Sequence, residues 1–124
     1  MKFLVLSKDD AETLRTPPTP ERMAAIGAFM EEAAKAGAIY LTGGIRPAEA
    51  ATTVSYVGGK RTVTDGPYAE AKELVAGFAI IDVPTIEEAV SWVSRFAEAA
   101  GIGESEIREL FIYGQDPVPG PAQA

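Results

Sequence analysis

The sequence predicts a two-layer α+β domain, with two helices packed on one face of a mainly antiparallel sheet. Three observations carry that expectation. Short apolar runs of strand length recur at residues 3–6, 38–41 and 74–83. Two longer stretches, 20–36 and 85–100, instead place apolar residues at helical spacing. These segments alternate in the order strand, helix, strand, hairpin, strand, helix, strand.

The first strand, residues 2–7, carries Phe3, Leu4, Val5 and Leu6 without a break, a pattern that suits burial on both faces. Residues 8–18 are polar and end in Pro17-Pro18, so they form a loop. Thr19, Pro20 and Glu21 supply an N-cap, a proline at the first helical position and an acid in the first turn. The helix runs from Pro20 to about Ala36, with Met23, Ile26, Met30 and Ala33 facing the core and Phe29 beside them. Gly37 is placed to close it at positive φ. Residues 38–41 form a second strand, which Thr42-Gly43-Gly44 and Pro47 end.

Residues 53–57 and 60–64 are antiparallel partners, because Gly58-Gly59 between them can both take positive φ in a two-residue turn. A charged loop from Asp65 to Glu73 leads to the longest strand, 74–83. Thr85 and Glu88 have capping-box spacing at the start of the second helix. Ile86, Ala89, Val93, Phe96 and Ala100 make its apolar stripe, widened by Val90 and Ala97, and Gly101 stops it. Residues 106–113 are the last strand. The domain is set at residues 1–114, and residues 115–124 read as a flexible, proline-rich tail.

Two crossovers of the βαβ kind, each right-handed, give a ferredoxin-like β-α-β-β-β-α-β plait with an extra hairpin. The helices cover one sheet face only. The other keeps apolar residues, so a homodimer closing sheet on sheet is expected.

Composition narrows the chemistry. At 124 residues, with 47% apolar and 23% charged positions, the chain fits one globular domain. Cysteine and histidine are both absent. Thiolate nucleophiles and Cys-based zinc sites are thereby excluded, as are the commonest general base and the commonest transition-metal ligand. The net charge of −7 and the scattered cations, with Lys60-Arg61 the only adjacent pair, disfavour nucleic acid and anionic membrane as partners. No apolar run approaches the roughly 20 residues that span a bilayer. The N-terminus is too short and too soon acidic for a signal peptide, so the cytoplasm is the expected location.

The charged loop is the most informative feature. Asp65-Gly66-Pro67 is first of all a turn: aspartate bonds the backbone two residues on, glycine allows unusual φ, and proline fixes the exit direction. Glu70, Lys72 and Glu73 add three charges close behind. Such charges matter chemically when a pocket desolvates them. Asp65 with Glu70 or Glu73 offers oxygen ligands, but the spacing matches no cation loop, so neither metal nor cofactor is expected. Gly43-Gly44 before Arg46 can offer amides and a cation to an anion, or simply end a strand. Lys60-Arg61 reads as a solvated edge. Trp92, between positions of the helical stripe, reads as half-buried or at a dimer surface.

The stretch TDGPYAEAKE resembles the DGPFAETKE signature of the YCII-related (DGPF) family, with Tyr68 for phenylalanine and Ala71 for threonine. The opening MKFLVL, the Thr42–Pro47 segment, the strand before the loop and the helix start Thr85-Ile86-Glu87-Glu88-Ala89 resemble the family's layout, over about residues 1–114. The resemblance implies a dimeric α+β barrel and no single activity. A His–Asp pair proposed for the wider group cannot be carried over to a chain without histidine, and only its aspartate maps, onto Asp65. Three functions are open on these residues. The first is a homodimer that binds a small ligand or partner in a cleft near the loop, through Arg46, Tyr68, Glu70, Lys72 and Glu73. The second is an enzyme with Asp65 as general acid or base and Lys72 or Arg46 stabilising negative charge. The third is a regulatory protein linked to a sigma factor, as the genomic neighbours of several family members imply.

Overall fold

The structure, a computed structural model, describes residues 1–9, 16–45, 51–65 and 74–120, Leu74 by its backbone alone. These form β1 (Lys2–Asp9), α1 (Pro20–Lys35), β2 (Ile39–Gly44), β3 (Thr52–Val57), β4 (Lys60–Asp65), β5 (Leu74–Asp82), α2 (Ile86–Ala100) and β6 (Glu104–Leu110). The main sheet has the order β2-β5-β1-β6, with every neighbouring pair antiparallel, and β3-β4 pair as a separate hairpin. That is the ferredoxin-like α+β plait, with the hairpin inserted between β2 and β5.

β1 sits inside the sheet, between β5 and β6, which explains its unbroken apolar run. Its two faces differ. Phe3, Val5 and Ser7 are buried beneath the helices, while Leu4 and Leu6 on the other face are half-buried. The core gathers Phe3, Val5, Ala38, Ile81, Val83 and Ala89, with Trp92, Val93 and Ile107 packed around it.

Both helices start as their caps dictate. The Thr19 and Thr85 side chains accept from the backbone amides of Arg22 and Glu88, both at 3.2 Å. Gly37 and Gly101 leave the helices at φ 71° and 70°. The helices are not equally seated. Ala33 is the buried residue of α1 among the described residues, and Met23, expected in the core, is 60% exposed. The reason is that α1 is held chiefly through α2. The Phe29 ring meets Trp92 edge-on at 5.9 Å and tilts against Phe96 at 5.6 Å. Arg22 donates to the carbonyls of Glu98 and Ala99 at the end of α2. Arg95 lies over the Phe29 and Trp92 rings and pairs with Glu32.

Several strand ends differ from expectation. β1 runs on to Asp9, through two residues expected in the loop, because Lys8 and Asp9 pair with Val75 and Leu74 of β5, and β4 ends on Asp65, expected in the charged loop. β2 continues through Thr42, Gly43 and Gly44, which pair with Ala79, Phe78 and Gly77. Here the glycines permit close approach instead of breaking the strand: a Cβ on Gly43 would lie 2.9 Å from the Phe78 ring, which rests over it. β6 begins earlier and ends earlier than expected, at Glu104 and Leu110. The chain then turns, and Asp116 accepts from Lys2 Nζ at 2.8 Å and from the Ile112 amide at 2.7 Å. The hydroxyl of Tyr40 donates to Gln115 at 3.0 Å. Contacts of the fold thus extend through Asp116.

Candidate functional site

Antiparallel register sorts the helix-facing side chains of the sheet into rows. One row reads Ile39, Ile81, Phe3. The next reads Thr42, Ala79, Val5, Ile107. The third reads Gly44, Gly77, Ser7, Ser105. Side-chain volume therefore shrinks along the sheet, from branched and aromatic groups to hydrogen and hydroxymethyl. α1 above cannot follow this slope, because Phe29, Arg22 and Arg95 fix it to α2.

The mismatch leaves a cavity of about 370 Å³ between α1, α2 and the small-residue end of the sheet. Phe29, Trp92 and Phe96 line it from the helices, and Ala79, Gly77 and Gly44 from the strands. Ser7 and Thr42 bring the polar side chains to a lining that is otherwise apolar, and no charged side chain among the described residues borders it. The Thr42 hydroxyl donates to the Phe78 carbonyl at 3.0 Å, which leaves its oxygen free to accept. Ser105, opposite Ser7, has an enclosed hydroxyl without a hydrogen-bond partner among the described residues. Such an orphan is uncommon, because buried polar atoms are nearly always bonded.

The residues singled out from sequence fare differently. Asp65 is the last residue of β4; it is exposed, and its carboxylate accepts from the Thr52 hydroxyl of the facing strand at 3.2 Å. Arg46, Tyr68, Glu70, Lys72 and Glu73 lie outside the described residues. Arg46 follows Ile45, whose amide donates to the Ala76 carbonyl at 2.9 Å beside the small-residue end of the sheet. Trp92, expected half-buried or at a dimer surface, is half-buried and lines the cavity. Lys60 and Arg61 are exposed. Among the described residues, no cluster of three or more acidic side chains is arranged to hold a metal ion, and no helix is long and apolar enough to cross a membrane.

Ser7 and Gly77 escape a reading of the sequence, which takes Gly44 only as a strand end or an amide for an anion. Gly44 and Gly77 are 33 residues apart in numbering and adjacent only through register. The pair of small-residue runs, Thr42-Gly43-Gly44 and Ala76-Gly77, was the available signal.

Two comparisons bear on the whole. The family model of the YCII-related domain matches residues 1–111. A protein of Rhizobium meliloti (strain 1021), described as uncharacterised, is 31% identical over 95 residues, covering 76% of this chain and 77% of its own length.

Proposed function

The chain belongs to the YCII-related domain family, and on that premise we propose that it is a small homodimeric protein that binds a small molecule in the cavity between α1 and the sheet. The cavity carries this reading. Its volume lies in the range of roughly 300–1,000 Å³ usual for small-molecule sites, and its apolar lining with a few polar groups is their usual composition. Empty space of this kind is costly, about 24 cal/mol per Å³ in a closed core. A leucine at position 79 would reduce it by a single substitution, and alanine stands there instead. Pairing with a second copy is supported by the hairpin, where Val54, Tyr56, Val57 and Val63 are 62%, 71%, 78% and 52% exposed.

The test is direct. Ala79→Leu is expected to raise the melting temperature, because it fills a void, and to weaken capture of any small molecule that denaturing mass spectrometry releases from the purified protein. A fall in melting temperature, the usual result of overpacking a full core, would remove the cavity from consideration. The enzymatic reading turns on Asp65, whose exposed carboxylate is engaged with Thr52; Asp65→Asn separates the two readings.

A further inference from the structure

Resting on the cavity as the ligand site, we infer that its occupant is an uncharged, flat aromatic molecule carrying a hydroxyl or carbonyl group. Four features converge on that class. No charged side chain among the described residues borders the cavity, so an ionised group placed inside would lose its water without gaining a charged partner among them. At its small-residue end the sheet offers only backbone and a methyl group, from Gly44, Gly77 and Ala79, beside the branched side chains of Val5, Ile39 and Ile81. The side facing the helices carries Phe29, Trp92 and Phe96, whose edge-on and tilted contacts already follow the geometry that a further aromatic ring would join. The polar groups are few and neutral. The Thr42 oxygen is left as an acceptor, and the Ser7 hydroxyl, on the row that also holds the unpartnered Ser105, can donate or accept. Thr42 on β2 and Ser7 on β1 stand on either side of β5, about 10 Å apart by strand spacing, so one hydroxyl or carbonyl on the ligand engages one of them, and Ser7 is the partner able both to donate and to accept.

The shape and the chemistry together define a graded experiment. Calorimetric titration of the full chain would use 2-naphthol, its hydroxyl-free isostere 2-methylnaphthalene and the anionic 2-naphthoate. Emission of Trp92, the only tryptophan in the chain, gives a second readout from the cavity lining. The expected result is saturable binding of one 2-naphthol per chain, with 2-methylnaphthalene weaker by roughly tenfold, the loss of one hydrogen bond, and 2-naphthoate weaker still, because its charge is desolvated. Ser7→Ala should abolish the advantage of 2-naphthol over 2-methylnaphthalene. Gly44→Val should abolish binding of all three. A Cβ at position 44 meets nothing within 4 Å, so the variant is expected to fold, and Ala79→Leu provides a second filling variant.

Equal or tighter binding of 2-naphthoate overturns the inferred ligand class. So does an absence of 2-naphthol binding when Ala79→Leu still raises the melting temperature; in that case the cavity stands and only its chemistry is wrong. Binding of 2-naphthol that Gly44→Val and Ala79→Leu both leave unchanged would place the ligand elsewhere and overturn the site as well.

Discussion

Lys2 and Asp116 join the first strand to the chain beyond the last one, and their proton affinities move in opposite senses. The hydrogen bond from Lys2, then that from the Ile112 amide, holds the Asp116 carboxyl below its ordinary value of 3.8. The same bond raises Lys2 above its ordinary 10.5. A lowered carboxylate contributes stability above its unfolded value and loses it as pH falls through the folded one; a raised ammonium does the reverse at the alkaline end. The clasp is therefore complete at neutral pH. Asp116→Asn should lower the melting temperature at pH 7 and flatten its decline below about pH 4, as a calorimetric pH series would record. Asp65 calls for a different measurement. Its bond to Thr52 is exposed, so Asp65→Asn is expected to cost about 0.5–1 kcal/mol or less in denaturant unfolding and to leave ligand binding within twofold. Loss of a turnover with the fold intact would instead place Asp65 in a catalytic role. Residue chemistry was partly legible in the sequence. Asp65 reads as the start of a turn from its neighbours but is the last residue of β4, while the Lys2–Asp116 pair, separated by almost the whole chain, could not be read at all.

Among the elements, the helix pair acts as a unit, and its junction is where substitution should be felt. Gly101 closes α2 at φ 70°, and a Cβ there would lie 2.7 Å from Arg22 Cζ. Gly101→Ala therefore combines left-handed strain with displacement of the arginine that caps α2. The expected cost is on the order of 1–2 kcal/mol, measurable by urea unfolding. Thr85→Ala, which removes only the cap at the other end, should cost about 1 kcal/mol. The starts and stops of both helices were legible, because capping depends on neighbours in sequence. The seating of α1 was not. Its apolar spacing predicts a face for Met23, but whether that face meets a sheet depends on what the sheet presents, and here it presents glycine and serine. For the same reason Gly43-Gly44 reads as a strand end in one dimension and proves to be strand in three.

For the whole molecule, the order of elements was legible and the site was not. Periodicity reports which residues share a face of one element. It does not report which rows of different strands stand opposite each other, and the cavity is a property of those rows. Assembly belongs to this scale too. Sedimentation of the full chain is expected to give about twice the 13.1 kDa of one copy. Val54→Asp, placed on the exposed hairpin, should shift that equilibrium towards the single copy; a monomeric wild type at micromolar concentration would count against the homodimer.

The shrinking rows of the sheet have an implication for how binding could be retuned. Gly77 is fixed, because a Cβ there would lie 3.0 Å from the Gly43 carbonyl. Gly44, one strand away, faces open space. A series of alanine, serine and valine at that one position would shorten the recess one group at a time without touching the buried cluster that holds the fold. Position 44 is thus a dial: relatives that differ there would be expected to accept molecules of different length on the same scaffold.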